Sequence, residues 1–275
     1  MSSQEVDVSS RVKLALSLAT KVSKFLISIQ KKPSFIIEKK GSIDLVTEAD
    51  KGSEKILRHG ILSKFPKDSI LGEEEGSVEN SGDYRWILDP LDGTTNFSHR
   101  LPLYAVSIGI EHKETKQVLG GVISLPALGD TYYAEKNKGA FKNKKQIKVS
   151  DTVNLIDALF CTGFPYQREN ETDRIISYLK NLLLKTRGVR RTGAAALDLA
   201  WVAEGRFDGF WEERLSPWDM AAGGLIILEA GGSVTTFDGN SFSPYIPNII
   251  ATNSKLHDLA RQELTFTIQD SLEHY

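Results

Sequence analysis

From Ala105 to Val149 the chain breaks into short β-branched and aromatic runs, namely Val106 to Ile110, Val118 to Ser124, Thr131 to Ala134 and Ile147 to Val149. Polar or glycine-containing turns at Glu114-Thr115-Lys116 and Asn137-Lys138-Gly139 separate them. Runs of this length parted by such turns predict an antiparallel meander. Before it, Val12, Ala15, Leu18, Val22, Phe25, Leu26 and Ile29 recur at three- and four-residue steps, the period of an amphipathic helix that Pro33 ends. A second helix is expected from near Thr47, with Ile56, Leu57, Ile61 and Leu62 inward and Pro66 beyond its end. Tyr84 to Leu88 reads as a strand that stops at Asp89-Pro90 and feeds a loop.

After Ser150 the pattern alternates. Strands are expected at Leu159 to Thr162, near Val189, at Phe207 to Trp211, at Ser233 to Phe237 and at Ile249 to Thr252. Helices are expected from Glu171 to Lys185, from Gly193 to Glu204, from Pro217 to Ala230 and onward from Ser254. No long Gly, Ser or Pro linker and no internal repeat interrupts the chain. The expectation is one α+β unit of residues 1–275, a single domain with a seam near residue 150 between an N-terminal α+β half and a C-terminal α/β half.

Charge and cysteine content narrow the chemistry. With 34 Lys+Arg against 36 Asp+Glu, the surface is no nucleic-acid footprint as a whole. Cys161 is the single cysteine, so an internal disulfide and a thiolate zinc cluster are excluded, which fits a reducing compartment. No apolar run approaches the ~20 residues of a membrane span, and Met1 to Ser10 lacks the pattern of a secretory signal. A cytoplasmic, soluble chain with no membrane partner is expected.

The informative stretch is Asp89-Pro90-Leu91-Asp92-Gly93-Thr94-Thr95-Asn96-Phe97. Two carboxylates three residues apart, with Pro90 and Gly93 shaping the turn, repel one another in a partly desolvated site unless a cation lies between them. An oxygen-rich site without His or Cys suits Mg²⁺, and Gly93-Thr94-Thr95 offers amides and hydroxyls to a phosphate where a helix should start. Turn-forming aspartates would account for the pair by itself. The same ambiguity attends other acids. Glu73, after Gly72, is a candidate ligand in a Glu73-Glu74-Glu75 run that is otherwise a solvated face. Asp50, three residues past Thr47, and Asp219, in Ser216-Pro217-Trp218-Asp219, both read equally as helix-start devices. Gly193-Ala194-Ala195-Ala196 opens a helix with so little bulk that a substrate could reach its amides, or another helix could pack closely there.

Taken in order, Gly72-Glu73-Glu74, Asp89 to Phe97, Trp218-Asp219 with Ala221-Ala222-Gly223-Gly224, and Glu229-Ala230-Gly231-Gly232 resemble the inositol monophosphatases, within the lithium-sensitive, Mg²⁺-dependent sugar-phosphate phosphatases. The resemblance runs from about Asp44 to Gly232, and Arg190 to Ala200 is most similar to the bacterial branch. It implies a five-layer αβαβα sandwich of the inositol monophosphatase and fructose-1,6-bisphosphatase type, and a homodimer. It also implies that Glu73, Asp89 and the carbonyl of Leu91 hold one Mg²⁺, that Asp89, Asp92 and Asp219 hold a second, and that a weaker third leans on Glu73. Asp50 with the Thr94 hydroxyl would orient the attacking water, and Glu74 would stand behind the ligands. The Gly93 and Thr94 amides would receive the phosphate, while Asp92, Gly193, Ala195 and Glu212 would address the polyol hydroxyls.

Position 194 departs from the pattern, being alanine where many relatives carry a hydroxyl. The implied activity is Mg²⁺-dependent hydrolysis of a small phosphate monoester, myo-inositol 1-phosphate foremost, by direct water attack, since the matched motifs place no Cys, His or Ser nucleophile. Fructose-1,6-bisphosphatase or nucleotide 3',5'-bisphosphate phosphatase activity, alone or as a second activity, is the alternative; the Thr95-Asn96-Phe97 ending favours the inositol class. A reading of another class makes the chain a partner of the transcription machinery, with Arg190 and Arg191 as its nearest basic handle. A dimer contact or an internally paired charge is the plainer account of those two arginines.

Overall fold

The three- and four-residue apolar steps produce α1 (Ser3–Gln30), which buries Ala15, Leu18, Val22 and Leu26. A computed structural model describes residues 3–34, 37–39, 45–165 and 171–264; Asp44, where the family resemblance begins, and residues 265–275 lie outside the described residues. A ribbon of β1 (Ile37–Lys39) and β2 (Leu45–Thr47) leads into α2 (Glu48–Lys64), whose Leu57 and Ile61 are buried while Ile56 and Leu62 pack partly covered beside them. Both helices lie on one face of a sheet. Arg11 fastens α1 there, donating from Nε and Nη2 to Asp68 at 2.7 Å each with its guanidinium 3.9 Å from the Tyr84 ring centroid.

That sheet comprises β3 (Ser69–Gly72), β4 (Gly76–Val78), β5 (Tyr84–Asp92), β6 (Ala105–His112), β7 (Gln117–Leu125), β8 (Asp130–Glu135), β9 (Ala140–Lys142) and β10 (Lys145–Gln146), in the order β10-β9-β8-β7-β6-β5-β3-β4. The short helix α3 (Thr94–Ser98) follows β5 directly. The expected meander is β6 to β10, paired antiparallel throughout.

Two expectations need correction here. β5 does not stop at Asp89-Pro90 but runs to Asp92, because the register against β6 shifts between Asp89 and Asp92 and Pro90 falls in that irregularity, where no ladder N–H is demanded of it. Ile147 to Val149 is not a strand. Its apolar side chains pack against the central core, and its amides at Ile147 and Val149 reach the Ala140 and Ala230 carbonyls at 3.0 and 3.1 Å.

The second sheet is built from β11 (Leu159–Thr162), β12 (Gly188–Arg190), β13 (Gly209–Glu213), β14 (Ser233–Thr235) and β15 (Asn248–Thr252), ordered β12-β11-β13-β15-β14. Phe207, expected in a strand, precedes β13 and instead meets the Trp201 ring edge-on at 5.5 Å. α4 (Thr172–Lys185) and α7 (His257–Gln262) cover the outer face. α5 (Ala195–Ala203) and α6 (Pro217–Glu229) lie between the sheets and are apolar nearly all round, as helices buried on both sides must be. The layers are therefore helices, sheet, helices, sheet, helices, with an apolar core at each interior sheet face.

Candidate active site

The irregular end of β5 shapes one wall. Asp89 turns its Oδ1 back to accept the Leu91 amide at 3.0 Å, and Gly93 takes the left-handed conformation (φ 86°) that carries the chain from strand into α3. A side chain at Gly93 would also meet the Leu103 carbonyl at 3.0 Å and the Ala194 methyl at 3.1 Å. Thr94, first in α3, donates its hydroxyl to Asp50 Oδ1 at 2.9 Å and lies 3.2 Å from the Leu91 carbonyl oxygen. Asp50 sits in the first turn of α2 and is buried. Glu73 leaves β3 with its amide on the Leu88 carbonyl at 3.2 Å, which keeps it beside β5.

The opposite wall comes from the second half. The Asp219 carboxylate closes a capping box, accepting the Ser216 amide at 2.7 Å at the start of α6. α6 is pressed onto the first sheet so closely that a Cβ at Gly121 would fall 2.9 Å from the Ala222 carbonyl oxygen. Ser107 of β6 donates to the Trp218 carbonyl at 3.0 Å, fixing the position next to Asp219. Asp92 reaches across to α5, where Oδ1 accepts the Ala195 amide at 3.2 Å and Oδ2 the Ala196 amide at 2.7 Å. Asn96 ties the same approach, donating to the Thr192 and Leu103 carbonyls at 2.9 and 2.7 Å. Glu212, in β13, fits against Gly163, where a Cβ would stand 2.1 Å from its Oε2.

These walls enclose a cavity of about 400 Å³. Of the residues expected at the site, Glu73, Asp89, Leu91, Asp92, Gly93, Thr94, Gly193, Ala195, Glu212 and Asp219 all line it, and Asp50 stands behind Thr94. Glu74 is half-buried and donates its amide to Glu54. The Ala195 amide, expected toward a polyol, is engaged by Asp92.

The electrostatics of the cavity ask for a cation. Burial pushes Asp92 and Asp219 up to about 7, with Glu73 adding to the effect on Asp92 and Asp92 adding to that on Asp219. Burial and then the neighbouring Glu73, Asp92 and Asp219 hold Asp89 well above the usual carboxylate range. Glu212 is raised likewise, by burial first and then by Asp219. Carboxylates so placed are protonated or neutralised by hard cations that prefer oxygen. Among the described residues, no three His, Cys, Asp or Glu side chains are already drawn together as in a formed metal site. Asp89, Asp92 and Asp219 are instead each turned onto backbone amides. The donor set fits an oxygen-ligated divalent ion, which would compete with those amides for the same oxygens.

Sequence reasoning gave no place at the cavity to three contributors. Asp198 is buried at the cavity, accepts the Thr192 hydroxyl at 2.7 Å and is held well above its ordinary range, by burial foremost. Its signal is a lone acid inside the apolar run from Ala194 to Ala203. Arg191 also lines the cavity, 6.0 Å from the Phe164 ring centroid, where its charge opposes the raised pKa of Glu212. Glu54, four residues past Asp50, lies beneath the turn that carries Glu73.

Carboxylates from both halves around one cavity, in a five-layer αβαβα fold, make the architecture of a metal-dependent phosphoric monoester hydrolase. The profile of the inositol monophosphatase family matches residues 7–269, and the chain belongs to that family. The chain is similar to the inositol-1-monophosphatase of Mesorhizobium japonicum, 45% identical over 73% of this chain and 75% of that one. It is also similar to the Nus factor SuhB of Pseudomonas aeruginosa, 42% identical over 83% of this chain and 85% of that one. Among solved structures, the extragenic suppressor protein suhB from Bartonella henselae superposes with a TM-score of 0.89 at 36% identity, covering 94% of this chain and 100% of the other.

Proposed function

We propose that the chain hydrolyses a small polyol phosphate monoester, with myo-inositol 1-phosphate as the preferred substrate, by direct attack of water. The observation that supports this reading best is the meeting of Glu73, Asp89, Asp92 and Asp219 with the Asp50–Thr94 pair and the small-residue start of α5 around one cavity of about 400 Å³. That volume suits a small-molecule ligand.

In this reading Glu73, Asp89 and the Leu91 carbonyl hold one Mg²⁺, Asp89, Asp92 and Asp219 a second, and Glu73 with water a third. Bound there, Mg²⁺ neutralises phosphate charge and lowers the pKa of a ligated water. The protein orients that water. With its proton committed to Asp50, the Thr94 oxygen is left as an acceptor, and a water hydrogen-bonded to it is aimed rather than free. The Gly93 and Thr94 amides receive the phosphate. Glu212, Asp92 and Gly193 face the polyol hydroxyls, with Ala195 as a wall. Ala194 brings no hydroxyl of its own.

The test is phosphate release from inositol 1-phosphate, fructose 1,6-bisphosphate and adenosine 3',5'-bisphosphate, with Mg²⁺ and then with EDTA. Turnover strongest on the inositol ester and abolished by EDTA is the expected result. Turnover on another ester alone would overturn the substrate, and EDTA-resistant turnover would overturn the metal assignment. The Pseudomonas relative's designation as a Nus factor favours a second reading, in which the chain also binds the transcription machinery. Asp92→Asn protein that still retains a transcription complex in a pull-down would separate that role from catalysis.

A further inference from the structure

α2 presents Asp50, Glu54 and Arg58 at four-residue steps, and therefore on one face. Asp50 takes the Thr94 hydroxyl. One turn on, the Glu54 side chain is fully buried, and its Oε2 accepts the Glu74 amide at 2.8 Å while Oε1 accepts the Glu75 amide at 3.1 Å. Arg58 donates from Nε to Glu54 Oε1 at 2.7 Å, reaches the Gly76 carbonyl with Nη2, and pairs with Glu75 at 3.4 Å. A buried carboxylate is tolerated only with such partners. β3 comes so near that a Cβ at Gly72 would stand 2.3 Å from Glu54 Oε1 and 2.9 Å from Arg58 Nη2.

Gly72, Glu74, Glu75 and Gly76 thus all meet the Glu54–Arg58 pair. Glu73 lies between them, with its own amide on the Leu88 carbonyl. Its backbone is held from the β5 side and its neighbours from the α2 side, and the residue lines the cavity.

We propose that Glu54, with Arg58 as its counter-ion, is a positioning residue that fixes Glu73 for its divalent cation, without touching substrate or ion itself. This rests on the reading that Glu73 is a metal ligand. Partners that orient a ligand from behind typically set metal affinity by about 10- to 100-fold.

Two substitutions disturb the contact from opposite sides. Glu54→Gln keeps the shape but leaves one carbonyl oxygen to accept what two carboxylate oxygens now share, and Gly72→Ala crowds the carboxylate without removing a charge. The measurements are calorimetric titration with Mg²⁺, thermal melting in EDTA, and the Mg²⁺ dependence of turnover. Both variants are expected to melt cooperatively, to bind Mg²⁺ about tenfold or more weakly, and to recover most of the wild-type kcat once Mg²⁺ saturates. Unchanged affinity in the folded variants would overturn the proposal, as would a kcat deficit that Mg²⁺ does not restore. If neither variant gives a cooperative melt, Glu54 serves the fold and the proposal fails. A wild-type protein that binds no Mg²⁺ would instead overturn the reading of the site beneath it.

Discussion

Asp92 and Ala196 are 104 residues apart in the chain, and the carboxylate of one accepts the amide of the other at 2.7 Å. The contact joins the end of β5 to the start of α5, so an acid expected to hold a cation also caps the helix on the far wall.

Asp92→Asn is accordingly expected to spare the fold and cripple the reaction. Asparagine still offers one oxygen to the α5 amides, and removing the charge relieves the desolvation that burial imposes and the repulsion from Glu73. Turnover should fall on the order of 100-fold or more, with a cooperative melt in EDTA. Near-native turnover with unchanged Mg²⁺ dependence would defeat the assignment.

Thr94→Ala should lower kcat by roughly 10²-fold, the cost of an attacking water no longer aimed, with little change in KM. Thr94→Ser retains the hydroxyl that Asp50 accepts and should keep most of the activity. Equal losses in the two variants, measured by steady-state kinetics, would show that the methyl and not the hydroxyl matters.

The acid cluster gives stability a pH dependence of unusual sign. Asp92 and Asp219 hold their protons to about pH 7 in the folded chain against 3.8 ordinarily, so between those values the folded state binds more protons than the unfolded one. Their contribution is fully present below about pH 4 and is lost as pH rises through 7. In EDTA, raising the pH from about 5 to about 7.5 should lower the melting temperature by more in wild type than in an Asp92→Asn, Asp219→Asn double variant. Mg²⁺ should raise the wild-type melting temperature more at the higher pH, where protons no longer compete for the same oxygens.

Gly121→Ala tests the close seating of α6. The added methyl meets the Ala222 backbone at 2.9 to 3.0 Å, so helix and sheet must part. Urea melts should show a loss of about 1–3 kcal/mol, and Mg²⁺ affinity should weaken, because the helix that moves carries Asp219.

The sequence makes some of this architecture legible and hides the rest for identifiable reasons. α4 and β11 fall where periodicity and residue type place them, since one buries a single face and the other is a short apolar run. β3 and β4 are unmarked, being four and three residues long with Gly72 and Gly76 at their facing ends. Pro90 reads as a strand terminator, and only the register shift against β6 shows why it is not one. Ile147 to Val149 carries strand-like residues because the central core needs them, not because a neighbouring strand does. The acids at the cavity were visible as motifs around Glu73, Asp89, Asp92 and Asp219. Asp198 and Glu54 were not: Asp198 is a lone acid in an apolar helix, and Glu54 meets the Glu73 turn from beneath, a depth that is a property of packing rather than spacing.

The cavity draws Glu73, Asp89 and Asp92 from the half that carries the eight-stranded sheet, and Glu212 and Asp219 from the half that carries the five-stranded one. Of the ions proposed, only the second, on Asp89, Asp92 and Asp219, would take its ligands from both halves. A chain severed between β10 and β11 would therefore give two pieces that are each silent, and any regained turnover on mixing would count rejoined molecules one for one. The second ion, in that light, is a reporter of assembly: it can be bound as proposed only by a polypeptide whose two halves have already found each other.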